Sequence, residues 1–298
     1  MPALNYAQLY EQALQQRFTV GLRFNALYAT PNNARYKWAD AKTILIPSIL
    51  VSGMQDVDRD NISAFGRNVD NKFTAKTLSH DREFPTLVDP MDIDETNLAL
   101  TISNITQVFN DEKKIPEMDK FMASKLYSEV TNFNGVIDNT AITTANALKL
   151  FDSLMNDMDE AEVPEEGRIL YVTNTIYKTL KEAEDLVRFM TVQNNNGQVN
   201  RAVRSLDEVT IVKVPSSRMK SAYVFDNGAE PDDSAVQINM ILIHPLAIIS
   251  PMKYEFVSLE QPSAHSKGKW LYYERSYWDV FAIENKIPGI AINADGGN

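Results

Sequence analysis

Apolar residues recur along this chain with three different spacings, and each predicts its own kind of element. Leu4, Ala7, Tyr10, Leu14 and Phe18 stand at helical intervals, so residues 3–18 are expected to form an amphipathic helix. Thr43 to Ser52 is rich in β-branched residues and contains Pro47, which cannot donate to a ladder and so predicts an edge strand or a bulge. Asn71 to Ser79 alternates, with Phe73, Ala75 and Thr77 on one face and Lys72, Thr74 and Lys76 on the other, the period of a half-buried strand. Asp94 is a suitable N-cap for a helix carrying Leu98, Ile102, Ile105 and Phe109. A separate helix is predicted from Ile115-Pro116, with proline at its first position and Glu117 and Asp119 in its positively polarised first turn. Its stripe of Met118, Met122, Leu126 and Val130 reads as a core seam, since a period alone carries no chemistry.

The middle of the chain alternates in type. Thr144–Met158 and Thr175–Phe189 read as helices, Arg168–Thr173 and Glu208–Val214 as strands, and Ala235–Ile243 as a strand covered on both sides. Together they predict an α/β module over roughly Ala141 to Pro245, with Asn194-Asn195-Asn196-Gly197 as a peripheral turn. From Ile248 onward strands are expected at Lys253–Leu259, Lys269–Arg275 and Asp279–Glu284, separated by Gln261-Pro262 and Lys267-Gly268.

Two stretches depart from this ordinary pattern. Between Gly53 and Asp92 only 13 of 40 residues are apolar, against 44% for the whole chain, so this segment makes a poor core of its own. A surface loop is one reading, but so long a loop is uncommon in a compact domain; the other is an excursion that gains order from a neighbour. On that second reading, deleting Gly53–Pro90 is expected to leave the subunit folded. Near the other end, Trp270, Tyr272, Tyr273, Tyr277, Trp278 and Phe281 crowd into twelve residues, as a core or as an interface platform.

Composition narrows the function classes. At 298 residues the chain can bury one large core or two joined ones, and without cysteine it has no disulfide, thiolate ligand or thiol nucleophile. No apolar run approaches the ~20 residues of a membrane span, and the N-terminus lacks a secretory pattern. The net charge of −11 disfavours sequence-specific DNA reading. The charge is uneven: residues 1–50 are basic, whereas Asp152–Glu166 holds seven acids and no base; both runs read as solvated faces.

Candidate chemistry is thin. His80, His244 and His265 lie in different segments without metal-ligand spacing, and His244 before Pro245 reads as structural. There is no nucleophile elbow and no glycine-rich phosphate loop. Asp92, Asp94 and Glu95 are explained by helix capping. No catalytic, cofactor-binding or metal-binding residue is assigned, which counts against an α/β enzyme acting through the middle module.

The segments Asp81-Arg82-Glu83-Phe84, Asp89-Pro90-Met91-Asp92-Ile93-Asp94-Glu95-Thr96 and Ile115-Pro116-Glu117-Met118-Asp119 resemble consecutive landmarks of tailed-bacteriophage major capsid proteins. Val214-Pro215-Ser216-Ser217-Arg218-Met219, Ile243-His244-Pro245-Leu246-Ala247, Arg275-Ser276-Tyr277-Trp278-Asp279-Val280-Phe281 and Ile287-Pro288-Gly289-Ile290 are similar in order and spacing. The resemblance implies the α+β capsid fold named after phage Hong Kong ninety-seven. It assigns residues 1–40 to an N-terminal arm, 41–92 to an extended loop, 93–140 and 246–298 to a peripheral domain with a spine helix, and 141–245 to an inserted axial domain. It further implies a coat protein that forms hexamers and pentamers of an icosahedral shell around double-stranded DNA. Such a protein assembles in the bacterial host cytoplasm and resides in the virion, with a portal and no membrane. A long helical extension ahead of the arm is missing from this sequence, so a separate scaffolding protein is expected.

Phe73, Lys76, Trp270, Tyr272, Tyr277 and Trp278 are the candidate inter-subunit contacts. A cargo-enclosing cellular compartment of the same fold is the alternative. Some members of the family weld subunits through a lysine and an asparagine; Lys72, Lys76 and Asn285 stand in the corresponding segments, although none needs that role. A single monomer band on a denaturing gel of mature shells excludes the weld.

Overall fold

A computed structural model describes residues 21–51, 53–54, 69–91, 102–183, 203 and 205–296. The helix expected over 3–18, the cap at Asp94, the carboxylates at 92–95 and the turn at 194–197 lie outside the described residues. The main strands are β1 (Thr43–Val51), β2 (Val69–Thr77), β3 (His80–Val88), β4 (Val136–Asp138), β5 (Ile169–Thr173), β6 (Val209–Val214), β7 (Ile238–Ile243), β8 (Met252–Glu260), β9 (Trp270–Trp278) and β10 (Ile290–Ala294).

The two helices predicted after residue 94 are continuous. An α-helix over Ile102–Phe109 passes through a π-helical turn, Asn110–Lys114, into Ile115–Asn132 with helical backbone angles throughout, and the whole is α1. Pro116 lies near this join rather than at a helix start. A proline inside a helix has no N–H to donate and crowds the carbonyl four residues earlier; the wider π turn directly before it gives that ring room. The result is a rod about 45 Å long. Its buried face carries Phe121, Met122, Ala123, Leu126 and Val130, close to the predicted seam.

The central sheet runs β4-β10-β7-β5-β6, with the short strand Ser205–Leu206 at its end. β7 is fully buried, as its unbroken apolar run requires. Two helices, α2 (Ala147–Glu160) and α3 (Asn174–Lys181), supply Leu150, Phe151, Leu154, Met158, Ile176 and Leu180 to one core, while α1 contributes to the other. The sheet thus takes in β4 and β10 from outside residues 141–245. No helix among the described residues is long and apolar enough to cross a membrane.

Two close approaches hold α1 in place. Asp119, fully buried, accepts hydrogen bonds from the backbone N–H groups of Arg23 at 3.0 Å and Phe24 at 3.1 Å, and from Arg218 Nη1 at 2.8 Å. After α1 the chain turns at Gly135, where an added Cβ would meet Ile287 Cγ2 at 2.7 Å and Val130 Cγ1 at 2.9 Å. Gly135→Ala is therefore expected to lower stability by about 1–3 kcal/mol through overpacking, measurable as a shift in the urea unfolding midpoint.

The excursion after Gly53 divides in two. Its later part, β3, pairs residue for residue with β9 over His80–Val88 and Trp270–Trp278, in a sheet ordered β8-β9-β3. Leu78, His80 and Val88 are buried. This corrects the expectation that the segment as a whole awaits a neighbour: β3 belongs to the protomer's own body, and deleting Gly53–Pro90 would remove it.

Candidate assembly interface

What projects is the hairpin β1/β2, nine residue pairs from Thr43↔Thr77 to Val51↔Val69. At its base Asp40 caps the entry, accepting from the N–H groups of Lys42 and Thr43 at 2.8 Å each. Ile44 and Leu78 pack with Ile249, Tyr277 and Phe281 in a small core. Tyr277 donates its hydroxyl to Leu78 O at 2.8 Å, and the Ser79 N–H reaches Asp279 Oδ2 at 2.8 Å. Lys76 Nζ lies 3.6 Å from Glu129 Oε2 on α1 and 4.8 Å from the ring centre of Phe133. A hairpin so pinned is a lever with a fixed root.

Further out this support ends. Pro47 sits beyond the short strand Lys37–Trp38, where β1 has β2 on one side only, consistent with the predicted edge position. Strand alternation puts Pro47, Ile49 and Val51 on the same face as Phe73 and Ala75. Ile49 is 70% exposed, Val51 69% and Phe73 49%. The alternation predicted in β2 is present, but its apolar face turns outward while Thr74 and Lys76 are the partly covered residues. Large apolar side chains left in water on an extended hairpin lack the burial that stabilises a strand, and such patches mark interaction sites.

A second exposed surface lies on the β8-β9-β3 sheet. One face meets α1: Phe84 stacks on Phe109 with centroids 3.8 Å apart, and Lys114 Nζ bridges Glu274 at 2.5 Å and Glu255 at 3.3 Å. The other face carries aromatics and Arg275. Tyr254 and Phe256 stack at 6.1 Å, Phe256 touches Tyr273 at 6.2 Å, and the Arg275 guanidinium lies over Tyr254 at 5.9 Å. Arg275 also grips Asp81 through two hydrogen bonds of 2.9 and 2.6 Å. β8 is an edge strand with Met252, Tyr254, Phe256, Val257 and Leu259 all exposed, a row that natural proteins cover or blunt.

The hydrogen bonds from Arg275 hold the Asp81 carboxyl below the usual carboxylate range against partial desolvation. A lowered native value contributes stability that is present above the unfolded carboxylate range, near pKa ~3.9, and is lost as pH falls through the native value. Thermal melts of wild type and Arg275→Gln should therefore differ at pH 6 and converge by about pH 2; because the pair is exposed, the gap is small.

Of the six residues expected at subunit contacts, Tyr272, Tyr277 and Trp278 are buried within the protomer. Tyr272 donates to Glu274 at 2.8 Å, and Trp278 meets Tyr28 and Phe121 edge-on. They do not form a surface platform because β9 is the middle strand of its sheet: Tyr272 and Trp278 lie on the face packed against α1, and Tyr277, on the other face, is covered by the hairpin-root core. Phe73 is exposed, Trp270 partly covered, and Lys76 engaged at the hairpin root. Sequence reasoning missed Ile49, Val51, Tyr254 and Phe256; the available signal was apolar residues at both parities of strands flanked by turns, which no single sheet core explains.

No protein-family profile matches the chain, and no curated protein does. Solved structures do match. A structure titled as the capsid of Cyanophage P-SCSP1u superposes over 95% of this chain and 90% of that one, at 13% identity and TM-score 0.68. The head structure of Helicobacter pylori bacteriophage KHP40 covers 94% of this chain and 93% of its own, at 11% identity and TM-score 0.63. This chain has the phage capsid fold. A Mycobacterium phage Che8 structure agrees over 94% and 93%, at 14% identity and TM-score 0.62. Each of these matches spans nearly the whole chain.

Proposed function

We propose that this chain is the major capsid protein of a tailed bacteriophage, a non-enzymatic virion subunit that self-assembles into hexamers and pentamers of an icosahedral shell around double-stranded DNA. The observation that carries the reading is a rooted hairpin whose apolar face points away from its own protomer, within a fold shared over nearly the whole chain with phage capsids. In this reading Thr43–Thr77 is the extended loop and α1 the spine helix. Residues 93–140 and 246–298 form the peripheral domain, joined by β3, and 141–245 the axial domain, its sheet completed by β4 and β10. The arm is residues 1–40.

The mechanism is additive contact. Pro47, Ile49, Val51 and Phe73 of one copy lie on the aromatic face or open edge of β8 in the next, with Trp270 at the margin. Burying a side chain of this size contributes about 1.5–3 kcal/mol. Each copy donates one hairpin and receives one, and closed symmetry multiplies modest contacts into a stable shell. A separate scaffolding protein and a portal complete the set of partners. The acidic chain would hold packed DNA without binding it sequence-specifically.

Electron microscopy of the purified protein tests this. Closed particles tens of nanometres across support it; a persistent monomer under every assembly condition overturns it, and particles filled by a folded enzyme instead of DNA favour a cargo compartment.

A further inference from the structure

β2 and β3 are consecutive yet belong to different sheets, and only Leu78 and Ser79 separate them. The first residue of β3 is His80, 6% exposed. Its ring is boxed by Phe121 on α1 at 4.0 Å, Trp278 at the end of β9 at 4.5 Å, and Phe225 at 5.2 Å. Inside this box Nε2 is buried without a hydrogen-bond partner. Glu117 Oε1, one turn before Phe121, lies 3.6 Å away. The same carboxylate holds Arg82 Nε at 2.6 Å, and Arg82 also donates to Phe225 O.

We propose that His80 and Glu117 form a proton-operated joint that sets how firmly the hairpin root is fastened to the long helix. With neutral His80 the joint is open: a buried ring nitrogen lies less than about 1 Å beyond the range of a charge-assisted hydrogen bond. Protonation closes it, because imidazolium adds a charged donor toward Glu117 and a cation among three aromatic rings.

Charged groups face this point from every packed element. From α1 comes Glu117, which also holds Arg82. From β3 come Arg82, already committed to Glu117, and Asp81, gripped by Arg275. Beyond Trp278, Asp279 accepts from Ser79 and pairs with Lys125 at 3.4 Å. Beyond Phe225 lies Asp226. Asp119, two residues after Glu117 and so on another side of α1, is engaged by Arg218 and two backbone N–H groups. Arg82 opposes imidazolium but shares the carboxylate instead of blocking it, and Lys113, Lys114 and Lys120 of α1 are the further cations near Glu117.

The position of the joint matters. Glu117 follows the π turn and Pro116, so closing the joint clamps β3 to α1 just after its irregular stretch. The joint itself is independent of the shell reading; its consequence, that mild acid stiffens the arm by which copies engage, rests on it.

Backbone amide hydrogen exchange at pH 8 and pH 5.5, corrected for intrinsic rates, tests the joint, with the amides of β5 and β7 as internal reference. In wild type, protection over Leu78–Arg82 is expected to rise about tenfold on acidification relative to that reference. His80→Gln and Glu117→Gln are each expected to abolish the rise while matching wild type in far-ultraviolet circular dichroism at pH 8. Equal protection at both pH values in wild type overturns the proposal without any variant, and so does a rise that persists in His80→Gln. Particles that form normally while the rise is absent would remove the joint alone; a rise without particles would remove the shell reading alone.

Discussion

The double variant Ile49→Asp with Phe73→Asp is expected to remain a folded, soluble protomer and to form no closed particles. In the protomer both side chains stand in water on the distal hairpin, so replacing them removes almost no internal packing. Surface substitutions of that kind change stability by about 0.5 kcal/mol or less. Pressed against a neighbouring copy, each carboxylate would instead forfeit the burial of a large apolar group and face several kcal/mol of desolvation. Every subunit carries both faults, so the loss repeats at each contact around a closed shell. Size-exclusion chromatography with electron microscopy reads the outcome, and an unchanged melting temperature confirms that the fold survived. If this variant assembles as wild type does, the apolar face of the hairpin is not an interface.

The opposite effect is expected at Asp119, where the interface is untouched and the fold suffers. Asp119→Ala strips the Arg23 and Phe24 N–H groups of their acceptor and takes a carboxylate from Arg218 in a fully buried setting. Breaking one side of a buried ion pair costs about 3–5 kcal/mol, here with two backbone donors added. Burial holds this carboxyl above its ordinary range even against Arg218, which shows how strongly the site is desolvated. Urea unfolding should show a midpoint well below that of wild type, with the slope unchanged. Asp119→Asn keeps one acceptor oxygen for the backbone and should lose less.

How far this architecture could be read from the chain alone depended on whether one strand or one pair of partners decided the outcome. β7 was legible because a continuous apolar run bounded by turns has one common solution, a strand covered on both faces, and β5 and β6 were legible as short β-branched runs closed by turn residues. The seam of α1 was legible from its period. Its continuity through Pro116 was not, because proline after a polar run reads as a start, and only the π turn reveals how the helix passes it. The fate of the forty residues after Gly53 was half legible: low apolar content marked the hairpin, but that β3 pairs with β9, almost two hundred residues later, leaves no local trace. For the same reason the aromatics of β9 resembled a surface platform. Composition identifies anchors, whereas strand order decides whether they face a neighbour or the protomer's own helix.

The central claim is that the outward face of the β1/β2 hairpin is covered by another copy of the chain. Because the sequence has no cysteine, Ile49→Cys provides a unique reporter there. Its rate of thiol labelling in the soluble protomer and in assembled particles is the most direct measurement. The account predicts rapid labelling in the protomer and labelling slowed by at least about tenfold in particles, as for a residue passing from surface to buried interface core. Labelling that is equally fast in both states, or already blocked in the solitary protomer, would contradict it.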